Sequence, residues 1–262
     1  MNSQPLRELD DAVAEGHYAR KQLLCSNRLI AWSHRRRYAT ALELGGRFAG
    51  QTVLDYGCGD GTFLAMLMRS ERPPAHAVGA ELSAEIVRDC RDRFREVREL
   101  EFVLSADLRK AHPGGFDAIV AMEVLEHVTE PGAMLDLFAK LLIPGGELLV
   151  SVPVEIGPPV LIKQSVRRIA GWCGHSGYRE TSRYRLKEMA ASLFAGERQH
   201  IARPVYGSGQ GEPWHDHKGF NWKVLRNEIG SRFTVDQVIT SPIRWLPPLL
   251  SSQVWFIARK AR

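Results

Sequence analysis

"VLDYGCGDGTF", residues 53–63, is the stretch that decides the fold. A short apolar run closes on an acid, Asp55, and then on three glycines at alternate positions, Gly57, Gly59 and Gly61. "TFLAMLMRS" follows with apolar residues at helical spacing. Glycines placed there let the backbone turn tightly and approach a ligand at the carboxyl end of a strand. The spacing D-x-G-x-G-x-G departs from the dinucleotide fingerprint G-x-G-x-x-G. It suits a ligand without a pyrophosphate, and an acid two residues before the first glycine can accept bonds from an amino-acid group.

Outward from this loop the chain alternates strands and helices. "AHAVGAEL" reads as a strand and "SAEIVRDCRDRF" as a helix with Ser83 at its N-cap. "LEFVLSAD" and "FDAIVAMEV" read as further strands, and "EPGAMLDLFAKLL" as an amphipathic helix stopped by Pro144-Gly145-Gly146, after which "ELLVSVP" is a strand. "NWKVLRNEI" is a helix, and "FTVDQVIT" and "SQVWFIARK" are the last strands. Near-continuous apolar strands alternating with helices predict a parallel sheet covered on both faces. Residues 154–213 break the rhythm with prolines, basic residues and the glycine-rich "YGSGQGE".

The 262 residues, 44% of them apolar, are enough for one substantial α/β domain with insertions or two small domains. A charged fraction of 25% argues against global disorder. The excess of five basic residues is mild, and Arg35-Arg36-Arg37 and Arg167-Arg168 read either as solvated faces or as contacts for an anionic acceptor, membrane or nucleic acid. Cys25, Cys58, Cys90 and Cys173 form no C-x-x-C pair, which argues against a disulfide framework or a cysteine zinc site. A polar, acidic N-terminus and the lack of a long apolar run lead to the expectation of a soluble, cytoplasmic protein.

From about residue 50 onward the chain resembles the class I S-adenosylmethionine-dependent methyltransferases. The resemblance rests on the glycine loop, Glu81 at the end of the second strand, Asp107 in "SADLR", "FDAIVAMEVLEHV" and "LLIPGGELLVSVP". It implies a Rossmann-like, seven-stranded, mostly parallel sheet. Residues 1–50 would form an N-terminal helical segment, 51–153 with 214–262 the cofactor-binding core, and 154–213 an inserted lid over the acceptor site. It also implies S-adenosylmethionine as cofactor, with Asp55, Gly57, Cys58 and Gly59 at its amino-acid end. Glu81 and Leu82 would lie at the ribose, Asp107 and Leu108 at the adenine, and Met122 on the fourth strand. Methyl transfer in that family is direct, so nothing asks Cys58 to act as a nucleophile. The chemistry is mainly positioning of acceptor, methyl carbon and sulfur.

"AMEVLEHV", residues 121–128, gathers Glu123, Glu126 and His127 at the end of a predicted strand. Three readings stand: capping of the next helix, a general base (His127 with Glu126) acting on an acceptor hydroxyl, or half of a metal site. "E-x-L-E-H" here resembles the ubiquinone-biosynthesis O-methyltransferases. "DHKGFNW", residues 216–222, is similar to a stretch of the small-RNA 3′-end 2′-O-methyltransferases, although Gly219 is extra. That second resemblance implies a divalent ion, Mg²⁺ or Mn²⁺, held by Glu123, Glu126, His127 and His217, with His215 as an alternative to His217.

The acceptor is expected to be a hydroxyl on a sugar, glycan, lipid-linked or other small molecule. The amphipathic, basic stretch 160–172 and "PIRWLPPLL" read either as packed structure or as peripheral membrane contact. RNA 2′-O-methylation at a ribose end is an alternative, with Arg179, Arg183 and Arg185 interleaved with Tyr178 and Tyr184. A non-catalytic cofactor-binding partner is the third. Trp214 and Trp222, flanking the histidines, read either as stacking platforms or as packing.

Overall fold

A computed structural model describes residues 11, 13–23, 28–113, 115–161, 163–164, 184–207 and 212–262. Strands β1 (Thr52–Tyr56), β2 (His76–Glu81), β3 (Leu100–Leu104), β4 (Phe116–Met122) and β5 (Leu142–Pro153) precede a two-residue pair, β6 (Val205–Tyr206) and β7 (Trp214–His215). Strands β8 (Thr234–Ser241) and β9 (Gln253–Arg259) follow. The seven-stranded sheet has the order β3-β2-β1-β4-β5-β9-β8, with β6 and β7 forming a separate antiparallel pair. The chain clusters into two compact units. One is Met1–Met122, Lys140–Leu149 and Lys260–Arg262; the other is Glu123–Ala139 and Val150–Arg259.

In the first unit β1 pairs in parallel with β2 on one side and β4 on the other, and β2 pairs in parallel with β3. Val53, Leu54, Ala77, Val78, Ala118 and Ile119 are fully buried, as strands covered on both faces require. Gly79, in mid-strand, is there for room, because a Cβ would meet Phe102 Cδ1 at 2.6 Å and Cys58 Sγ at 2.8 Å. Helix α1 (Arg28–Gly45) precedes the sheet, and α2 (Thr62–Met68) starts directly after the glycine loop with Phe63, Leu64, Ala65 and Leu67 buried. Helix α3 (Ala84–Arg93) has Ser83 as its N-cap, Oγ accepting from the Ile86 N–H at 3.4 Å. A short helix, α4 (Leu108–Ala111), follows β3.

Helix α5 (Pro131–Leu141) corrects one expectation. Pro144-Gly145-Gly146 does not form a turn that separates helix from strand, because β5 already begins at Leu142. Gly145 takes φ +80° within the strand, and the Gly146 carbonyl accepts from the Lys260 N–H at 2.9 Å. Strand pairing overrides the local turn signal, with glycine supplying the one left-handed residue.

In the second unit β8 and β9 are antiparallel, with an irregularity between Val235 and Gln237. Helix α6 (Leu186–Leu193) lies within the expected insertion, and α7 (Trp222–Gly230) is N-capped by Asn221. Arg232 reaches Asp136 through Nε at 2.5 Å and Nη2 at 3.3 Å. Apart from 160, 161, 163 and 164, the basic stretch 160–172 lies outside the described residues, as do Tyr178, Arg179 and Arg183. Among the described residues no helix is long and apolar enough to cross a membrane.

Candidate active site

At the carboxyl ends of the first unit's parallel strands, the register sets the expected cofactor residues out in sequence. Asp55 pairs with Val120 two residues before Met122, Tyr56 pairs with Ala80, and Glu81 pairs with Leu104 three residues before Asp107. Gly57, Gly59 and Gly61 take φ of +74°, +54° and +74°, which L side chains rarely adopt. The Gly57 and Cys58 N–H groups donate to the Ala80 carbonyl, which fastens the loop to β2. A Cβ on Gly59 would meet nothing within 4 Å, so the loop presents bare backbone there.

Asp55 is buried, and its Oδ2 has no hydrogen-bond partner among the described residues. Burial, reinforced by the Glu81 carboxylate, pushes its pKa up to about 8. A buried acid in that state calls for a cationic donor. Glu81 accepts from the Gly59 N–H through Oε2 at 3.1 Å and from the Leu82 N–H through Oε1 at 2.7 Å, so it also braces the loop. Cys58 is buried, and burial followed by Asp55 raises its thiol pKa, which keeps it an unreactive small residue. Leu82 is exposed, Met122 half-buried, Leu108 buried, and Asp107 exposed on a 3₁₀ turn.

Sequence reasoning missed Asp60 and the segment it holds. Asp60 Oδ1 accepts from Thr62 N–H at 3.2 Å and Thr62 Oγ1–H at 2.7 Å, while Oδ2 accepts from Tyr18 N–H at 2.7 Å. One buried carboxylate thus joins the glycine loop to the N-terminal residues. The Tyr18 hydroxyl meets His34 Nδ1 at 2.8 Å and receives a bond from Arg37 Nη2. Burial raises the Tyr38 pKa; Tyr18 raises it further, Arg37 opposes the rise, and Asp60 and Asp55 add to it. Arg37 bonds the Tyr18 hydroxyl and His34 Nδ1, and its only trace in the sequence is the basic run 35–37.

In the second unit the sequence cluster resolves into three residues that converge and one that does not. Glu126, His127 and His217 each offer a ligand atom, all within 4.8 Å of one another. Glu126 Oε1 is 3.8 Å from His127 Nε2 and 3.9 Å from His217 Nδ1. Those separations are long for hydrogen bonds and ordinary for groups sharing one ion. Glu123 falls outside the trio. Its Oε1 accepts from Gln253 Nε2 at 2.7 Å, and its backbone is at φ +56°, the one positive φ of a non-glycine residue among those described. Glu123 N–H donates to the Ser151 carbonyl at 2.9 Å, so Glu123 shapes the turn out of β4. The helix-cap reading is not what the structure has, since His127 closes a turn onto Val124 and α5 starts only at Pro131.

The protonation pattern follows from the hydrogen bonds. His127 Nδ1 is 2.8 Å from the His215 carbonyl, which can only accept, so Nδ1 carries a proton and Nε2 is the ring nitrogen on the Glu126 side. His215 bonds the Pro204 carbonyl through its own Nδ1 at 2.7 Å, and it is not among the three residues whose ligand atoms converge. The His217 Nδ1 is buried without a hydrogen-bond partner among the described residues. Burial and then neighbouring His127 pull its pKa down to about 4, so it is a neutral imidazole at ordinary pH.

Arg203, which the sequence did not single out, ties the two histidine-bearing segments together. Its Nη2 donates to the Glu126 carbonyl and to the Asp216 carbonyl, and its Nε to the Lys218 carbonyl at 3.3 Å. Its guanidinium lies 5.3 Å from the Phe220 ring centroid, and burial lowers its pKa to about 10. The two tryptophans separate: Trp222 is buried near Phe256, whereas Trp214 is 43% exposed with its ring 6.2 Å from that of His127.

A family described as a methyltransferase domain matches residues 29–201. The ubiquinone biosynthesis O-methyltransferase of Xylella fastidiosa is 40% identical over 106 residues, 39% of this chain and 42% of that protein. The chain thus spans less than half the length of that curated relative. Two solved structures are similar at the level of fold. One is an N-methyltransferase from Bradyrhizobium japonicum in complex with S-adenosyl-L-homocysteine, with TM-score 0.54, 14% identity, and coverage of 98% of this chain and 99% of that one. The other is the magnesium protoporphyrin IX methyltransferase of Synechocystis with bound S-adenosylhomocysteine, with TM-score 0.53, 17% identity, and coverage of 99% and 96%.

Proposed function

The chain belongs to the methyltransferase-domain family, and from that premise we propose that it moves the methyl group of S-adenosylmethionine onto a hydroxyl oxygen of a small acceptor. The observation that carries the chemistry is the His127 imidazole, whose Nδ1 proton is spent on the His215 carbonyl so that Nε2 is the ring nitrogen turned to Glu126. Relatives named as O-methyltransferases support oxygen as the receiving atom.

When bound, S-adenosylmethionine supplies a methyl carbon made electrophilic by a sulfonium. The residues fit its groups. The buried Asp55 Oδ2 suits the ammonium of the amino-acid part and Glu81 the ribose hydroxyls. The bare backbone at Gly59 allows close approach. His127 Nε2 would take the proton of the acceptor hydroxyl as its oxygen receives the methyl group, with the departing sulfide leaving as the neutral product.

A divalent ion is a second feature that the trio supports. Glu126, His127 and His217 would hold it, with His127 Nε2 then serving as a ligand in place of its role as base, and two imidazoles with one carboxylate suit Mn²⁺ or Zn²⁺ better than Mg²⁺, which prefers oxygen. Such an ion would lower the pKa of a hydroxyl presented to it. A sugar, lipid-linked or other small hydroxyl remains the favoured acceptor over a ribose end of RNA. The test is calorimetric titration of S-adenosylhomocysteine into the protein and its Asp55→Asn variant. Binding in the first and its loss in the second is expected; equal affinity would remove Asp55 from the cofactor's site.

A further inference from the structure

Helix α3 grips the glycine loop through two residues one turn apart. Arg93, the last residue of the helix, reaches 33 positions back along the chain, and its Nη2 donates to the Asp60 carbonyl at 2.6 Å. Cys90 Sγ lies 3.5 Å from the Gly59 carbonyl. Burial pushes the Cys90 thiol up to about 12, so it keeps its proton and serves as a weak donor. The Arg93 side chain is only 9% exposed, with its guanidinium carbon 4.8 Å from the Phe94 ring centroid and Nε 2.9 Å from Asp89 Oδ2. Phe94 in turn stacks on Phe102, and a Cβ on Gly61 would come within 2.9 Å of both rings, so the loop is seated on that stack.

The consequence is directional. A trans peptide sets each carbonyl opposite to the next N–H. With the Gly59 and Asp60 carbonyls held by α3, the Asp60 and Gly61 N–H groups are turned away from it, and that of Gly61 donates to the Cys58 carbonyl at 3.1 Å. Glu81 fixes the Gly59 N–H from the side of β2. Glycines permit many orientations of these peptide planes, so Gly59 and Gly61 alone do not choose this one. A flipped plane would present a carbonyl to a ligand where the loop now presents an N–H. We infer that Arg93 is a positioning residue for the cofactor: its bond to the Asp60 carbonyl selects the loop conformation that receives S-adenosylmethionine. The inference rests on the assignment of the glycine loop to that cofactor. Docking of α3 does not depend on this bond, since Val87, Cys90 and Phe94 already bury its apolar side.

The experiment is calorimetric titration of S-adenosylhomocysteine into the wild type, Arg93→Met, Arg93→Lys and Asp89→Asn, with amide exchange at Gly59 and Gly61 followed in the same proteins without ligand. Arg93→Met should weaken binding about 10- to 30-fold, which is about 1.4–2 kcal/mol at 1.4 kcal/mol per factor of ten, and should speed exchange at both glycines. Arg93→Lys keeps a cationic donor without the planar fork and should recover part of the affinity. Asp89→Asn removes an exposed ion pair but leaves the bond to the loop, so its affinity should equal that of the wild type. Equal affinity in wild type and Arg93→Met overturns the inference even if exchange is faster or Tm lower, because the bond would then only stabilise the fold. A loss in Arg93→Lys as large as in Arg93→Met overturns it too, since the donor would not be what matters. Absence of binding by the wild type is a different result, which removes the cofactor reading and the inference with it.

Discussion

Replacing Arg203 with methionine removes a guanidinium and leaves a side chain of similar length. Three carbonyls then lose a donor, those of Glu126, Asp216 and Lys218, in residues that are all buried. Each hydrogen bond to a charged donor is worth about 1.5–3 kcal/mol. Removing the buried charge recovers part of that as relieved desolvation. A net loss of about 2–3 kcal/mol follows, which for a chain of this size lowers Tm by about 4–12 °C. The larger effect is on chemistry, because Arg203 is what holds the Glu126 and Asp216–Lys218 segments in register. A misplacement of about 1 Å between reacting groups costs about 100-fold in rate. Arg203→Met should therefore lower kcat about 100-fold while S-adenosylhomocysteine affinity, assigned to residues 55–108, is unchanged. Arg203→Lys keeps the charge without the planar fork and should fall between the two. The assays are thermal melting, calorimetry and methyl transfer on the three proteins. Wild-type kcat in Arg203→Met, or a fall in cofactor affinity matching the fall in kcat, would refute the reasoning.

Three other perturbations test separate parts of the account. Asp55 has a folded pKa raised to about 8, so the native state binds the extra proton. Its contribution to apo stability is complete below the unfolded value near 4 and is lost as pH rises towards 8, by at most about 1.4 kcal/mol per pH unit. Asp55→Asn should flatten that slope in urea melts between pH 5 and 8, and an unchanged slope would assign the pH dependence to other groups. In a Mn²⁺ titration, His217→Ala should abolish one-site binding and Glu123→Gln should leave it, since Glu123 is engaged with Gln253; the reverse order would put Glu123 back among the ligands. Asp60→Ala removes the acceptor shared by the first N–H of α2, that of Thr62, and the Tyr18 N–H, and should cost about 1–2 kcal/mol. Faster proteolysis before residue 23 should accompany it, and wild-type proteolysis would mean that the segment is held by other contacts.

What the sequence could disclose depended on how local the determining physics was. Asp55, the three glycines and Glu81 are bound to one another by turn geometry and parallel register, so their spacing alone was informative. The Ser83 cap was legible for the same reason. Pro144-Gly145-Gly146 misled because pairing along β5 outweighs a turn signal of three residues. Glu123 stands three residues from Glu126, yet its partner Gln253 is 130 positions away, and nothing local indicates that it turns from the trio. Arg203 carries no motif, since its acceptors are main-chain carbonyls that no side-chain pattern records. Trp214 and Trp222 looked equivalent, and only burial separates the core residue from the exposed one.

The most direct test supplies methyl-¹³C S-adenosylmethionine with 4-methylcatechol and methyl β-D-glucopyranoside to the wild type, His127→Ala and Asp55→Asn, and identifies the labelled product by NMR. The account predicts an O-methyl ether of one of these acceptors from the wild type. His127→Ala should bind S-adenosylhomocysteine normally but make little ether, and Asp55→Asn should fail at cofactor binding. An ether formed by His127→Ala at the wild-type rate, or a label found on nitrogen or carbon of an acceptor, would contradict it.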